Sequence, residues 1–261
     1  MNAFGLNLHT AAVIIIPMLI ISLSSSACAK CGENRFLPAE AAFAGILLHR
    51  ILGSASLPDG IAAFSVTALS ALLAGALIAL AYIFIRRRAG AQKPLFVISA
   101  TLFLSVILLG FTEESSKTAL DNNTVLIIAS ALFIAISATL IFVRKLRLSM
   151  KAAGESCRSA SDMGIKTERM TVAVAIIACA VSGAVGALAC GAGAITAEKL
   201  MLMILIISAV SRERLVLSAL LALCASFACA YIRIIEGADG NLAFTILTAV
   251  SAILMPRERK R

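Results

Sequence analysis

The chain has 261 residues, of which 61% are apolar and only 14% charged, with a mean hydropathy of +1.00. A soluble domain carries roughly 25% charged residues, so this composition excludes a chain whose whole surface meets water. A net charge of +9 would suit nucleic acid, but the absence of tryptophan and the presence of two tyrosines leave no base-stacking cluster beside the cations.

The apolar residues fall in long blocks, each near the roughly 20 residues that a helix needs to cross about 30 Å of hydrocarbon. Helices pair every backbone N–H and C=O within one segment, as lipid demands. No sustained period-two alternation supports a barrel. The expected fold is all-α, a polytopic transmembrane helical bundle of about eight or nine spans, with residues 1–261 forming one membrane domain.

In chain order the expected spans are Ala11–Ala29, Leu37–Leu52, Ile61–Ile85, Leu95–Thr112, Thr124–Val143, Met170–Ala189, Ala194–Val210, Leu215–Ile232 and Asn241–Met255. The first could also be a signal peptide, since Ala27-Cys28-Ala29 resembles a small-residue cleavage site; its leader lacks Lys and Arg. The second carries Glu40, His49 and Arg50, and the seventh Glu198 and Lys199, so either is a candidate re-entrant or broken helix.

Lys and Arg collect in cytoplasmic loops. With the N-terminus outside and nine spans, the inside segments are Lys30–Phe36, Arg86–Pro94, Arg144–Arg169, Ser211–Arg214 and Pro256–Arg261, and they hold 19 of the 23 basic residues. Asp59, Glu113, Glu114, Asp121, Glu236 and Asp239 fall outside. This places the N-terminus outside and the C-terminus in the cytoplasm of a multi-pass plasma-membrane (inner-membrane) protein. Clusters such as Arg86-Arg87-Arg88 then read as anchors against anionic lipid. The longest polar segment, Arg144–Arg169, has room for one or two short helices, with a glycine break at Gly164.

Charged groups inside spans are expensive and are functional candidates by default. Glu40 and His49 are the candidates for a transport pathway. A second reading of Glu40 is an interfacial carboxylate paired with Lys30 or Arg35. Among seven cysteines, Cys28 and Cys31 have the C-x-x-C spacing of redox and metal sites, but no second pair or nearby His completes a four-ligand set. Structural, redox and metal roles all stay open for this pair. The remaining span cysteines, Cys179, Cys190, Cys224 and Cys229, read as small packing residues. Small residues crowd the sixth span from Ser182 to Ala187 and allow close helix packing. Gly191–Gly193 could unwind the chain beside a cavity.

Soluble-enzyme templates are missing. The chain has no Gly-x-x-x-x-Gly-Lys-Ser/Thr, no His-Glu-x-x-His and no Gly-x-Ser-x-Gly. Gly237-Ala238-Asp239-Gly240 has the wrong order and lacks a second intramembrane Asp for an aspartyl protease. Neither enzymatic activity nor a cofactor is therefore expected.

Several segments, taken in order, resemble the membrane permease family of zinc- and manganese-type ABC importers. Ala41–Gly53 looks like the family helix that ends in a Pro-Gly-Val-Ala-Leu run. Leu73–Arg88 is similar to its third span. Met163-Gly164-Ile165-Lys166-Thr167-Glu168-Arg169 resembles the Leu-Gly-Ile-x-x-x-Arg entry to a late span, and Asp239–Ala249 resembles the final loop and helix. Phe36–Glu40 stands where the family carries Gly-Asp-Ala-Leu-Ser-His, which puts Glu40 near that histidine. Met201–Leu205 lacks the family's Pro-Ala-Ala-Thr-Ala. The resemblance implies a permease subunit for a divalent metal of the zinc, manganese or iron class. Its implied partners are a second permease subunit, an extracellular substrate-binding protein and a cytoplasmic ATPase. The ATPase would dock on a loop containing Ser159, Asp162, Gly164, Ile165 and Arg169. The alternative is a non-transporting membrane subunit or scaffold.

Overall fold

A computed structural model describes residues 8–54, 61–89, 122–155, 164, 167–192, 196–211 and 215–232. Within these residues the chain is all-helical, with eight helices and no strand. They are α1 (Leu8–Lys30), α2 (Leu37–Ser54), α3 (Ile61–Ala89), α4 (Asn122–Phe142), α5 (Arg144–Glu155), α6 (Thr167–Gly191), α7 (Ala197–Val210) and α8 (Leu215–Ile232). Seven of the nine expected spans coincide with a helix. Leu95–Thr112 and Asn241–Met255 lie outside the described residues. Four helices, α1, α3, α4 and α6, are long and apolar enough to cross a membrane.

The turn between α1 and α2 shows how local chemistry sets the topology. After Lys30 the N–H groups of Cys31, Gly32 and Glu33 donate back to the carbonyls of Ala27, Ala29 and Cys28 at 3.2, 3.1 and 2.9 Å. Gly32 has φ +77°, the left-handed conformation that closes helix ends and favours glycine. Asn34 then accepts the Phe36 N–H on its Oδ1 at 2.9 Å, and Pro38 occupies the first turn of α2, where its missing N–H costs nothing. Six residues thus reverse the chain.

α1 is the central post. Its apolar window is 78% buried, against 22% for α3 and 17% for α4. It touches α2, α4, α5, α6, α7 and α8. The outward ridge of α3, with Leu69, Leu73, Leu77 and Phe84 all exposed, has the character of a lipid-facing surface.

α2, α3 and α6 form the tightest unit. A Cβ on Gly45 would collide with the carbonyl oxygen of Gly183, one on Gly183 with that of Ala71, one on Gly75 with that of Cys179, and one on Gly186 with that of Ala42. Backbone therefore meets backbone along two seams, the close approach that small residues permit in lipid. The crowding of small residues in the sixth span is packing. α6 ends at Gly191, and a new helix starts only at Ala197, with Thr196 extended at φ −60°, ψ 145°.

α7 has 14 residues, so it is roughly 21 Å long and falls short of a 30 Å crossing. Its last two turns are buried nearly all round, including Met203, Ile204, Ile206, Ile207, Ser208 and Ala209. Glu198 and Lys199 sit in its first turn, exposed and half-buried, so neither is carried into the interior.

Candidate functional site

The charged ends of the helices gather at one end of the bundle. Arg86 near the end of α3 pairs with Glu33 of the α1–α2 turn, whose side chain is almost fully buried. Arg87 reaches Glu168 in the first turn of α6 at 2.6 Å, with both side chains exposed. Gly154 of α5 lies so close to the carbonyl of Lys30 that a Cβ would overlap it. Met150 of α5 joins Ala27 and Cys31 in a small apolar cluster with Met170 at the margin. Lys30–Phe36, Arg86–Arg87 and the ends of the Arg144–Arg169 segment therefore occupy one face, as the charge asymmetry requires.

Between α3 and α6 at that face lies a cleft of about 380 Å³ lined by Arg87, Glu168, Arg169, Val172, Ala173 and Ile176. Arg169 is exposed there. Gly164 is also exposed, with φ +77° and open space around it. Ser159, Asp162 and Ile165 lie outside the described residues.

The two pathway candidates do not converge. Glu40 is buried in the first turn of α2, beside the charged end, and His49 is buried toward the other end. Nine residues separate them, which on a helix means roughly 13 Å of rise and half a turn of rotation. They occupy opposite faces of α2 and cannot line one small cavity. Among the described residues no three His, Cys, Asp or Glu side chains converge to hold a metal.

Cys28 and Cys31 are both free thiols. They sit at the C-terminal end of α1, where the helix dipole disfavours a thiolate; reactive C-x-x-C pairs use an N-terminal end. Burial, with the Glu33 carboxylate adding to it and Lys30 opposing, pushes the Cys31 thiol up to about 12. This environment suits packing and opposes redox chemistry.

Hydroxyl groups converge where none of the sequence candidates lies. Ser22 of α1 shares hydrogen bonds with Ser218 of α8 at 3.0 Å and with Ser211, the residue that closes α7, at 3.1 Å. Ser25 of α1 meets Ser208 of α7 at 3.3 Å. The Ser211 hydroxyl also contacts the Ile207 carbonyl at 2.7 Å. All five serines are buried. Ser22 lies eight residues before Lys30 in a span that runs Ala12–Lys30, roughly 12 Å in from its end. The end of α7 is thus held at mid-span. Of the expected inside segment Ser211–Arg214 only Ser211 is described, and it is buried beside Ser22.

Serine is nearly neutral in hydropathy, so the cluster leaves no trace in a span profile. The one available signal was the run Ser22–Ser26, which breaks the apolar pattern of the first span.

The architecture is that of a multi-pass α-helical membrane protein, with a short buried helix among the described residues. No family model matches the chain, and no curated protein matches it significantly.

Proposed function

We propose that the chain is the membrane subunit of a transporter, a permease of the ABC-importer type that carries no ATPase of its own. The observation that carries this reading is the end of α7 at mid-span on five buried hydroxyls. Helices interrupted at membrane depth recur at transporter binding sites, because the freed backbone and its polar neighbours can contact a solute. Such an interruption needs compensating polar groups in hydrocarbon, and the serine hydroxyls supply them.

The cleft between α3 and α6 supports the partnership. Its Arg87, Glu168 and Arg169 offer both charge signs at the basic face. A cytoplasmic ATPase would seat there, with this face cytoplasmic and the N-terminus outside. The second permease subunit and the extracellular binding protein follow from the same resemblance. A divalent metal of the zinc, manganese or iron class is the cargo that the resemblance implies; a hydroxyl-lined site would give it oxygen ligands, the donor type of harder cations such as manganese.

Metal uptake by cells producing the chain with its cognate ATPase tests the reading. Accumulation of manganese, zinc or iron should exceed that of cells lacking the chain, and should fall at least tenfold in Ser211→Val at unchanged membrane abundance. Equal uptake with and without the chain for all three metals would leave the scaffold reading standing. Glu40→Ala belongs in the same assay, and unchanged uptake removes Glu40 from the pathway.

A further inference from the structure

A second cavity, of about 300 Å³, opens on the flank of the bundle between α1, α4, α5 and α6. Its walls are almost wholly apolar. It runs from Met170, Leu140 and Met150 at the basic end to Leu23 and Val181 deeper in the bundle. Met170 and Val181 are eleven residues apart on α6, which is roughly 16 Å of rise. That matches one leaflet of a hydrocarbon core about 30 Å thick. The groove is open at the side: Ile177 on its rim is 63% exposed, and Ala135 and Thr139 on the facing helix are exposed too.

The helix that closes the basic end is α5, twelve residues long and strongly amphipathic. Leu146 and Met150 face the groove. The same helix carries Arg144, Lys145, Arg147 and Lys151, and Lys151 is exposed. An amphipathic basic helix at the membrane surface attracts anionic headgroups. We infer that this groove is a binding site for one anionic phospholipid, with an acyl chain lying along α6 between Met170 and Val181 and the phosphate held by the cations of α5. The match of groove length to one leaflet, and a basic helix with exposed Lys151 at the end of the groove, jointly specify a lipid. A second protein copy would need neither.

The absence of tryptophan from the sequence makes the test direct. Ile177→Trp places a single indole on the rim, and the full-length protein is reconstituted into phosphatidylcholine vesicles containing a few per cent of brominated phosphatidylglycerol or brominated phosphatidylcholine. Quenching by the brominated phosphatidylglycerol should exceed that by brominated phosphatidylcholine at equal mole fraction. Neutralising Lys145 and Lys151 to Gln should weaken that preference by about fivefold per cation. Filling the groove with Ala135→Phe at its exposed edge should abolish the preference while the helical circular dichroism is unchanged. Equal quenching by the two lipids overturns the proposal, as does a preference that survives Ala135→Phe. Native mass spectrometry that finds a second copy of the chain in place of lipid overturns it as well. Lys151 is exposed on α5, so the outcome of its substitution does not depend on core packing.

Discussion

Cys31 shows how a residue type can mislead when its spacing is read without its surroundings. A thiol with its pKa near 12 holds almost no thiolate at pH 8, so alkylation of Cys31 in the folded protein should be at least a hundredfold slower than in the denatured chain. Mass spectrometry of iodoacetamide-treated protein measures this. Unfolding frees the thiol to ionise near its ordinary value of about 8.5, while the folded state resists ionisation up to about 12. The thiol's contribution to stability is therefore complete below about pH 8.5 and is lost as pH rises toward 12. Thermal unfolding of Cys31→Ser compared with the parent should show a smaller loss of stability over that window. Glu33 extends the lesson: its partner is Arg86, 53 positions away in sequence, and the hydropathy of either neighbourhood gives no hint of the pair.

Gly183 makes the sharpest residue-level prediction. Even the single methyl of Gly183→Ala would meet the Ala71 carbonyl, so α6 must move off α3. A cost of about 1–3 kcal/mol is expected, read as a lower midpoint in detergent unfolding. Ala substitution at Gly164, where a Cβ meets only open space, should produce a smaller loss that comes from backbone strain alone.

At the scale of elements, α7 and its serines separate structure from transport. Interhelical hydrogen bonds in membranes average about 0.6 kcal/mol, and Ser22→Ala leaves Ser211 bonded to the Ile207 carbonyl. The variant should unfold within about 1 kcal/mol of the parent yet lose most of its uptake. A large stability loss with uptake retained per folded molecule would assign the hydroxyls to assembly. Helix positions were largely legible: α1, α2, α3, α4, α6 and α8 start and stop within four residues of the hydropathy blocks. The block Ala194–Val210 also shows as α7, but its fate as a buried short helix depends on contacts with residues more than 180 positions distant, such as Ser22. Hydropathy measures transfer into lipid and is blind to whether the neighbour is lipid or protein. That is why the exposed α3 and the enclosed α7 read alike.

For the whole molecule, the testable claim is one-sidedness. Arg87 on α3 and Lys151 on α5 belong to the same end of the bundle. Cysteines introduced at these exposed sites into a background lacking native cysteine should react with an impermeant maleimide from the same side of sealed vesicles. Labelling from opposite sides would break the bundle as described. Charge counting groups the ends of α1, α3 and α6, and contacts bring these ends together. Of its segment Ser211–Arg214 only Ser211 is described, buried against α1 through Ser22. The candidate site was the less legible half. Glu40 and His49 stand out in the sequence as polar groups within a span, whereas the buried hydroxyl cluster consists of neutral serines from α1, the end of α7 and α8.

The seams of backbone against backbone between α2, α3 and α6 have a mechanical corollary. Helices that touch through glycine have no side-chain cushion to slide over, so these three must travel as one solid block. Any change of shape is left to the pieces joined by looser, exchangeable contacts, α7 and α8 with their serine hydroxyls. Under the proposed transport function, a crosslink that welds α2 to α6 should therefore leave uptake intact, while one between α1 and α7 should abolish it.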